Sequence, residues 1–208
     1  MKEGFSNIQN RKSGRKRIVI PHHQWELTAE NIIFIEQKYK RNNIMRNITR
    51  RRPKVIGMRR GNTMDGFVMT RKFPDFDGRI ITDELIAYGN VEVPVKALWD
   101  TGSNYSCISN RLAKELGLRP IKNTHIGTSG GKIKSEVYTI ILILSDTIEY
   151  SVDVSGVDNL ESGGINFLIG MDIISSGDFS ISTYNDEVLL SFRSPSKGHI
   201  DFSSNSPV

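Results

Sequence analysis

Cysteine is almost missing from this chain of 208 residues: Cys107 stands alone, so no intrachain disulfide can form. That excludes a disulfide scaffold and fits a reducing compartment. Long apolar runs are missing too. The longest, at 140–144, is strand-sized and far short of the roughly 18 residues a membrane-spanning helix needs. The first 20 residues are basic and polar, with no apolar stretch of the signal-peptide kind. These absences predict a cytoplasmic protein with no membrane partner. Histidine is scarce, and His22, His23, His125 and His199 share no ligand spacing with Cys107 or the carboxylates, so no metal or other cofactor is expected. With no histidine near it in sequence, Cys107 reads as a small buried hydrophobe and not as a nucleophile.

What is present divides in two. Residues 1–72 hold 18 Lys/Arg against 5 Asp/Glu, and residues 73–208 hold 10 against 18, so a net charge of +5 hides segments of +13 and −8. Such asymmetry separates a basic extension from an acidic globular part. Residues 1–17 are polar and unpatterned, which predicts disorder. Ile32, Ile35 and Tyr39 recur at helical spacing behind Thr28, a suitable N-cap, which predicts one helix around 28–42. Arg50, Arg51, Arg52, Lys54, Arg59 and Arg60 form a cationic run broken by Pro53 and Gly57. It reads as a solvated linker, with nucleic acid as the alternative partner, although few aromatics are interleaved with the charges. The expected organisation is a basic, partly helical extension over 1–77, a domain over 78–195 and a flexible tail over 196–208.

From residue 78 onward, short apolar runs alternate with turn residues, the texture of a mainly β domain. Segments 79–88 and 91–98 flank Gly89-Asn90, a two-residue hairpin signal. Segments 124–128 and 132–144 flank Ser129-Gly130-Gly131 and predict a second hairpin with a glycine-rich tip. Further strands are expected at 150–154, 166–169, 179–183 and 188–193, and a short helix at 110–116 with Gly117 as its stop.

The stretch carrying chemistry is Ala97-Leu98-Trp99-Asp100-Thr101-Gly102-Ser103, an apolar strand that delivers an aspartate into a tight polar turn. Later in the chain comes Leu168-Ile169-Gly170-Met171-Asp172, two apolar residues followed by glycine. In this order, with the hairpin 126–133 between them, the segments resemble the retropepsin-like aspartic proteases, especially the bacterial single-lobe type. The resemblance covers about 115 residues, 79–195. It implies a closed β-barrel of the acid-protease half-lobe kind with one or two short helices. Trp99 departs from it, being bulkier than the usual aliphatic residue.

By this resemblance Asp100 is the catalytic carboxylate, Thr101 braces the loop across a dimer axis, Gly102 admits the backbone to the carboxylates and Ser103 donates to Asp100. Thr128, Ser129, Gly130, Gly131, Ile169 and Gly170 are the expected substrate-binding positions, Gly170 also packing beneath the catalytic loop. Asp172 is expected to cap the helix that follows it. Aspartic proteolysis needs two carboxylates sharing a proton, and only one Asp-Thr-Gly is present, so a homodimer is expected to supply the second. The function expected is an aspartic endopeptidase favouring mildly acidic pH and acting on a peptide or protein substrate. The alternatives are an inactive peptide-binding or dimerisation module of the same fold, or a nucleic-acid-associated protein acting through its basic part. Self-cleavage of the extension is expected near Phe67-Val68-Met69 or Phe73.

Overall fold

The computed structural model describes residues 66–128 and 131–201, the side chain of Thr128 excepted, and the backbone of strands at 7–9, 16–19 and 54–58. The helix expected around 28–42 lies outside the described residues.

Strands β5 (Ile81–Tyr88) and β6 (Val91–Trp99) form the first expected hairpin, closing at Tyr88 and Val91 around Gly89, whose φ of 60° is left-handed. From β6 the sheet runs through β11 (Phe167–Ile169), β7 (Cys107–Ser109), β10 (Ile148–Val157) and β9 (Gly131–Leu144) back to β5, so six strands close into a barrel. Two of these contacts, β6–β11 and β7–β10, are parallel. Closure removes the sheet edges, and the apolar residues of β6, β9 and β10 fill the interior. The domain has the mainly β, half-lobe architecture expected of it, with helices among the described residues at Asn110–Glu115, Met171–Ile174 and the 3-10 turn Leu160–Gly163. The first ends as predicted, with Gly117 left-handed just beyond Leu116.

Strand β9 changes character along its length. From Val137 to Leu144 all but one residue are buried in the barrel, whereas from Gly131 to Lys134 it is exposed and pairs only with β8 (Lys122–Thr128). The second expected hairpin therefore projects beyond the core, with Ile133 39% exposed near its tip.

Several segments read as linker or tail pair with the domain. Strand β1 (Asn7–Gln9) and the start of β2 (Lys16–Val19) fall where disorder was expected; β1 pairs with β2, and β2 lies parallel to β6. Strand β3 (Lys54–Met58), inside the cationic run, lies antiparallel to β10. Strand β4 (Phe67–Phe73) precedes the boundary expected at 78, yet it is the edge of a second, three-stranded sheet with β13 (Glu187–Ser194) and β12 (Asp178–Tyr184). The apolar residues at 67 and 69 alternate with exposed ones, a strand pattern, and both are buried. At the other end, the Ser196 hydroxyl and the Lys197 N–H donate to Asp178, as does Arg193, and together they hold that carboxyl down at about 2. The expected flexible tail is thus tied down at its first residues.

This packing opposes self-cleavage at Phe67–Met69. A protease takes its substrate as an accessible extended strand, and β4 is already paired with β13 along its whole length. Phe67 lies edge-on to Phe192, ring centres 6.3 Å apart. Phe67→Ala is expected to cost about 3–5 kcal/mol in urea unfolding of the full chain. Val68→Ala, at a side chain 66% exposed, is expected to change stability by less than about 0.5 kcal/mol.

Candidate active site

Asp100 sits at the end of β6, where two flanking segments fix the backbone. The Trp99 N–H donates to Ile80 O at 2.9 Å, and the Asp100 N–H donates to Ile169 O at 2.9 Å. The chain then turns through Thr101 and Gly102, with the Ser103 N–H reaching Asp100 O at 3.3 Å. Asp100 itself is half-buried, and Thr101 is exposed.

The Gly102 N–H donates to Asp100 Oδ1 at 2.8 Å. A Cβ at Gly102 would lie 3.1 Å from that oxygen, a tight contact that would push the carboxylate aside by a few tenths of an ångström, and glycine avoids it. Within the chain this backbone donor takes the place expected for the Ser103 hydroxyl. Ser103 contributes through its backbone instead, its carbonyl accepting from the Met171 N–H at 2.8 Å.

The second signature passes directly beneath this loop. A Cβ on Gly170 would stand 2.6 Å from the carbonyl carbon of Tyr105, 2.7 Å from its oxygen and 3.0 Å from Ser103 O, all rigid backbone. Nothing larger than glycine fits without moving one of the chains. The same crossing decides the fate of two expected substrate contacts. Ile169 is fully buried in the core because β11 is a central barrel strand, and Gly170 is buried against the loop, so neither offers the single chain a ligand-facing surface. In the projecting hairpin, Thr128 pairs with Gly131 in backbone register; Ser129 and Gly130 lie outside the described residues.

Asp172 is not at the N-cap of the helix Met171–Ile174, a position held by Gly170, but its Oδ1 accepts the Ile173 N–H of the first turn at 2.9 Å. Its carboxylate reaches across to the other strand, with Oδ2 accepting the Ser106 N–H at 3.0 Å and Oδ1 the Ser106 hydroxyl at 2.7 Å. The same hydroxyl accepts the Gly170 N–H at 3.1 Å. Ser106 is fully buried, so one side chain riveted as donor and acceptor joins the two signatures. Burial pushes the Asp172 carboxyl up, opposed by the Ser106 N–H and hydroxyl and by the Ile173 N–H. Cys107, next along, is buried, and its thiol is pushed up to about 12, mainly by desolvation and then by Asp172 and Asp100. A thiol in that state is no nucleophile.

Trp99 is accommodated by specific partners. Its Nε1–H donates to Thr82 Oγ1 at 2.9 Å, its ring stacks on Phe179 at 5.7 Å, and Phe192 tilts against it at 5.3 Å.

Residues 87–173 match the family model described as aspartyl protease. The retropepsin-like resemblance is borne out for this segment, which carries both signatures. Among solved structures, the chain is similar to a retropepsin-like aspartic protease from Rickettsia conorii, with 17% identity, 64% of this chain and 99% of that one covered, and a TM-score of 0.42. It is also similar to the EIAV protease complexed with the inhibitor HBY-793, with 20% identity, 49% and 89% covered and a TM-score of 0.39. A third similarity is to the retroviral protease-like domain of Ddi1 from Leishmania major, at 17% identity, with 54% and 93% covered and a TM-score of 0.33. No curated protein matches the chain significantly. Among the described residues, no helix is long and apolar enough to cross a membrane.

The Ser106–Asp172 link is testable by stability. Asp172→Ala leaves the buried Ser106 N–H and hydroxyl without acceptors and is expected to cost about 1–3 kcal/mol in urea unfolding. Asp172→Asn keeps one acceptor oxygen and is expected to cost less.

Proposed function

We propose that the protein is an aspartic endopeptidase whose active site forms when two copies bring their Asp100 carboxylates together. The observation that carries this reading is the placement of Asp100: a half-buried carboxylate on a loop held by backbone bonds from Gly102, Ile169 and Met171 and crossed by Gly170. A catalytic acid needs this kind of fixed geometry. One carboxylate is half of the machinery. Two held about 3 Å apart cannot both ionise, so such a pair shares one proton.

In the shared-proton state the ionised member draws a proton from a water molecule while the protonated member polarises the peptide carbonyl. The water oxygen bonds to the carbonyl carbon, giving a tetrahedral intermediate. A carboxyl then passes its proton to the amide nitrogen, the C–N bond breaks, and the products are a carboxylic acid and an amine. Thr101, exposed at the loop tip, is assigned the bracing contact to the partner copy, and the hairpin of β8 and β9 the covering of an extended peptide.

Subunit mixing tests the shared site. Wild-type and Asp100→Asn protein are mixed in varying proportion at constant total concentration, with time allowed for exchange, and cleavage of a fixed peptide is followed at mildly acidic pH. If each active unit needs two intact aspartates, activity falls roughly as the square of the wild-type fraction. A fall in simple proportion to that fraction contradicts the shared site.

A further inference from the structure

A buried carboxylate lies behind the candidate catalytic strand with no part in the chemistry above. Glu84, on β5, is 3% exposed. Its Oε2 accepts the Ser145 N–H at 2.7 Å, from the turn between β9 and β10, and its Oε1 is buried without a hydrogen-bond partner. An orphaned buried carboxylate oxygen is costly while ionised, since nothing replaces its lost hydration. Protonation relieves that cost.

The surroundings of Glu84 lead towards Asp100. Strand periodicity puts Thr82 and Glu84 on the same inward face of β5, where both are buried. The Thr82 hydroxyl in turn accepts the indole N–H of Trp99, the residue before Asp100. The charged groups facing Glu84 are Arg71 from β4 and Asp146 from the β9–β10 turn. Arg71 is engaged with Ser145 Oγ at 2.6 Å. Desolvation therefore dominates and raises the Glu84 carboxyl to about 7, against the opposing pull of the Ser145 N–H, the Thr82 hydroxyl and Arg71.

We propose that Glu84 is a proton-responsive positioning residue, acting through the Thr82 hydroxyl on Trp99 and hence on the strand end that carries Asp100. When Glu84 is ionised, the Thr82 O–H is drawn towards the carboxylate while its oxygen still accepts from Trp99. When Glu84 is neutral, its own O–H becomes a donor and the Thr82 hydroxyl is released to reorient. The indole of Trp99 thus sits at the end of a polar chain whose direction follows one proton. A raised carboxyl favours the fold when neutral: that stability is fully present below the unfolded value of 4.5 and is lost as pH rises through about 7. The resting arrangement is therefore tightest on the acidic side, where the proposed protease works. The importance of this for catalysis rests on the reading of Asp100 above, but its test does not.

The chain has two tryptophans, Trp25 and Trp99, so Trp25→Phe makes Trp99 the sole indole reporter. In the full chain carrying that change, Trp99 emission is followed from pH 5 to pH 9, with circular dichroism confirming the folded state. The expected result is one transition with a midpoint near 7, abolished by Glu84→Gln and also by Thr82→Val. In the Thr82→Val protein, thermal stability should still fall as pH rises through neutrality, because Glu84 is retained. Thr82→Val also carries the test if Glu84→Gln fails to fold. An emission transition persisting in the folded variants, or a flat signal in the folded Trp25→Phe protein, overturns the proposal. Neither result depends on whether the chain cleaves peptides.

Discussion

At Gly170 two backbones pass so closely that a single methyl group would have no place, and the position of Asp100 depends on that contact. Below it, β11 hands an amide acceptor to Asp100; above it, the Ser103 carbonyl takes the Met171 N–H. Ser106 and Asp172 then close the ring from the far side. Each of these bonds is ordinary in strength, but they share neighbours, and a network of this kind holds its members more tightly than isolated pairs would be held. The result is a short polar loop on a rigid apolar base, the arrangement that a reacting carboxylate requires.

The second sheet supports this loop from behind. Phe67, Phe179 and Phe192 come from β4, β12 and β13, and they meet at or beside the ring of Trp99. An aliphatic residue at 99 would leave that aromatic surface unfilled and Thr82 without its indole donor. The bulk of Trp99 therefore belongs to the way this chain attaches its extra sheet to the barrel.

The barrel was legible where the signals are local. Gly89-Asn90 fixes a hairpin, Gly117 stops a helix, and the Asp-Thr-Gly run with its later Leu-Ile-Gly partner marks the loop and its crossing. What escaped was non-local. Asp172 has the look of a residue serving the helix that follows it, and only the fold reveals that it also serves Ser106, 66 positions away. Phe67 and Met69 stand in a strongly basic stretch, which hid a strand whose partner comes near the end of the chain. Glu84 was readable in principle, because β5 alternates and 84 shares parity with Thr82 and Ile86. Ionisable residues are so seldom buried that charge argued against parity, and parity prevailed.

The central claim is that Asp100 performs peptide hydrolysis. The most direct measurement is cleavage of a mixed peptide library between about pH 4 and 7 by wild-type protein and by Asp100→Asn, at concentrations that favour dimers, read by mass spectrometry. The account predicts new peptide termini with the wild-type protein and none with the variant. Equal cleavage by both, or none by either folded protein, would contradict it.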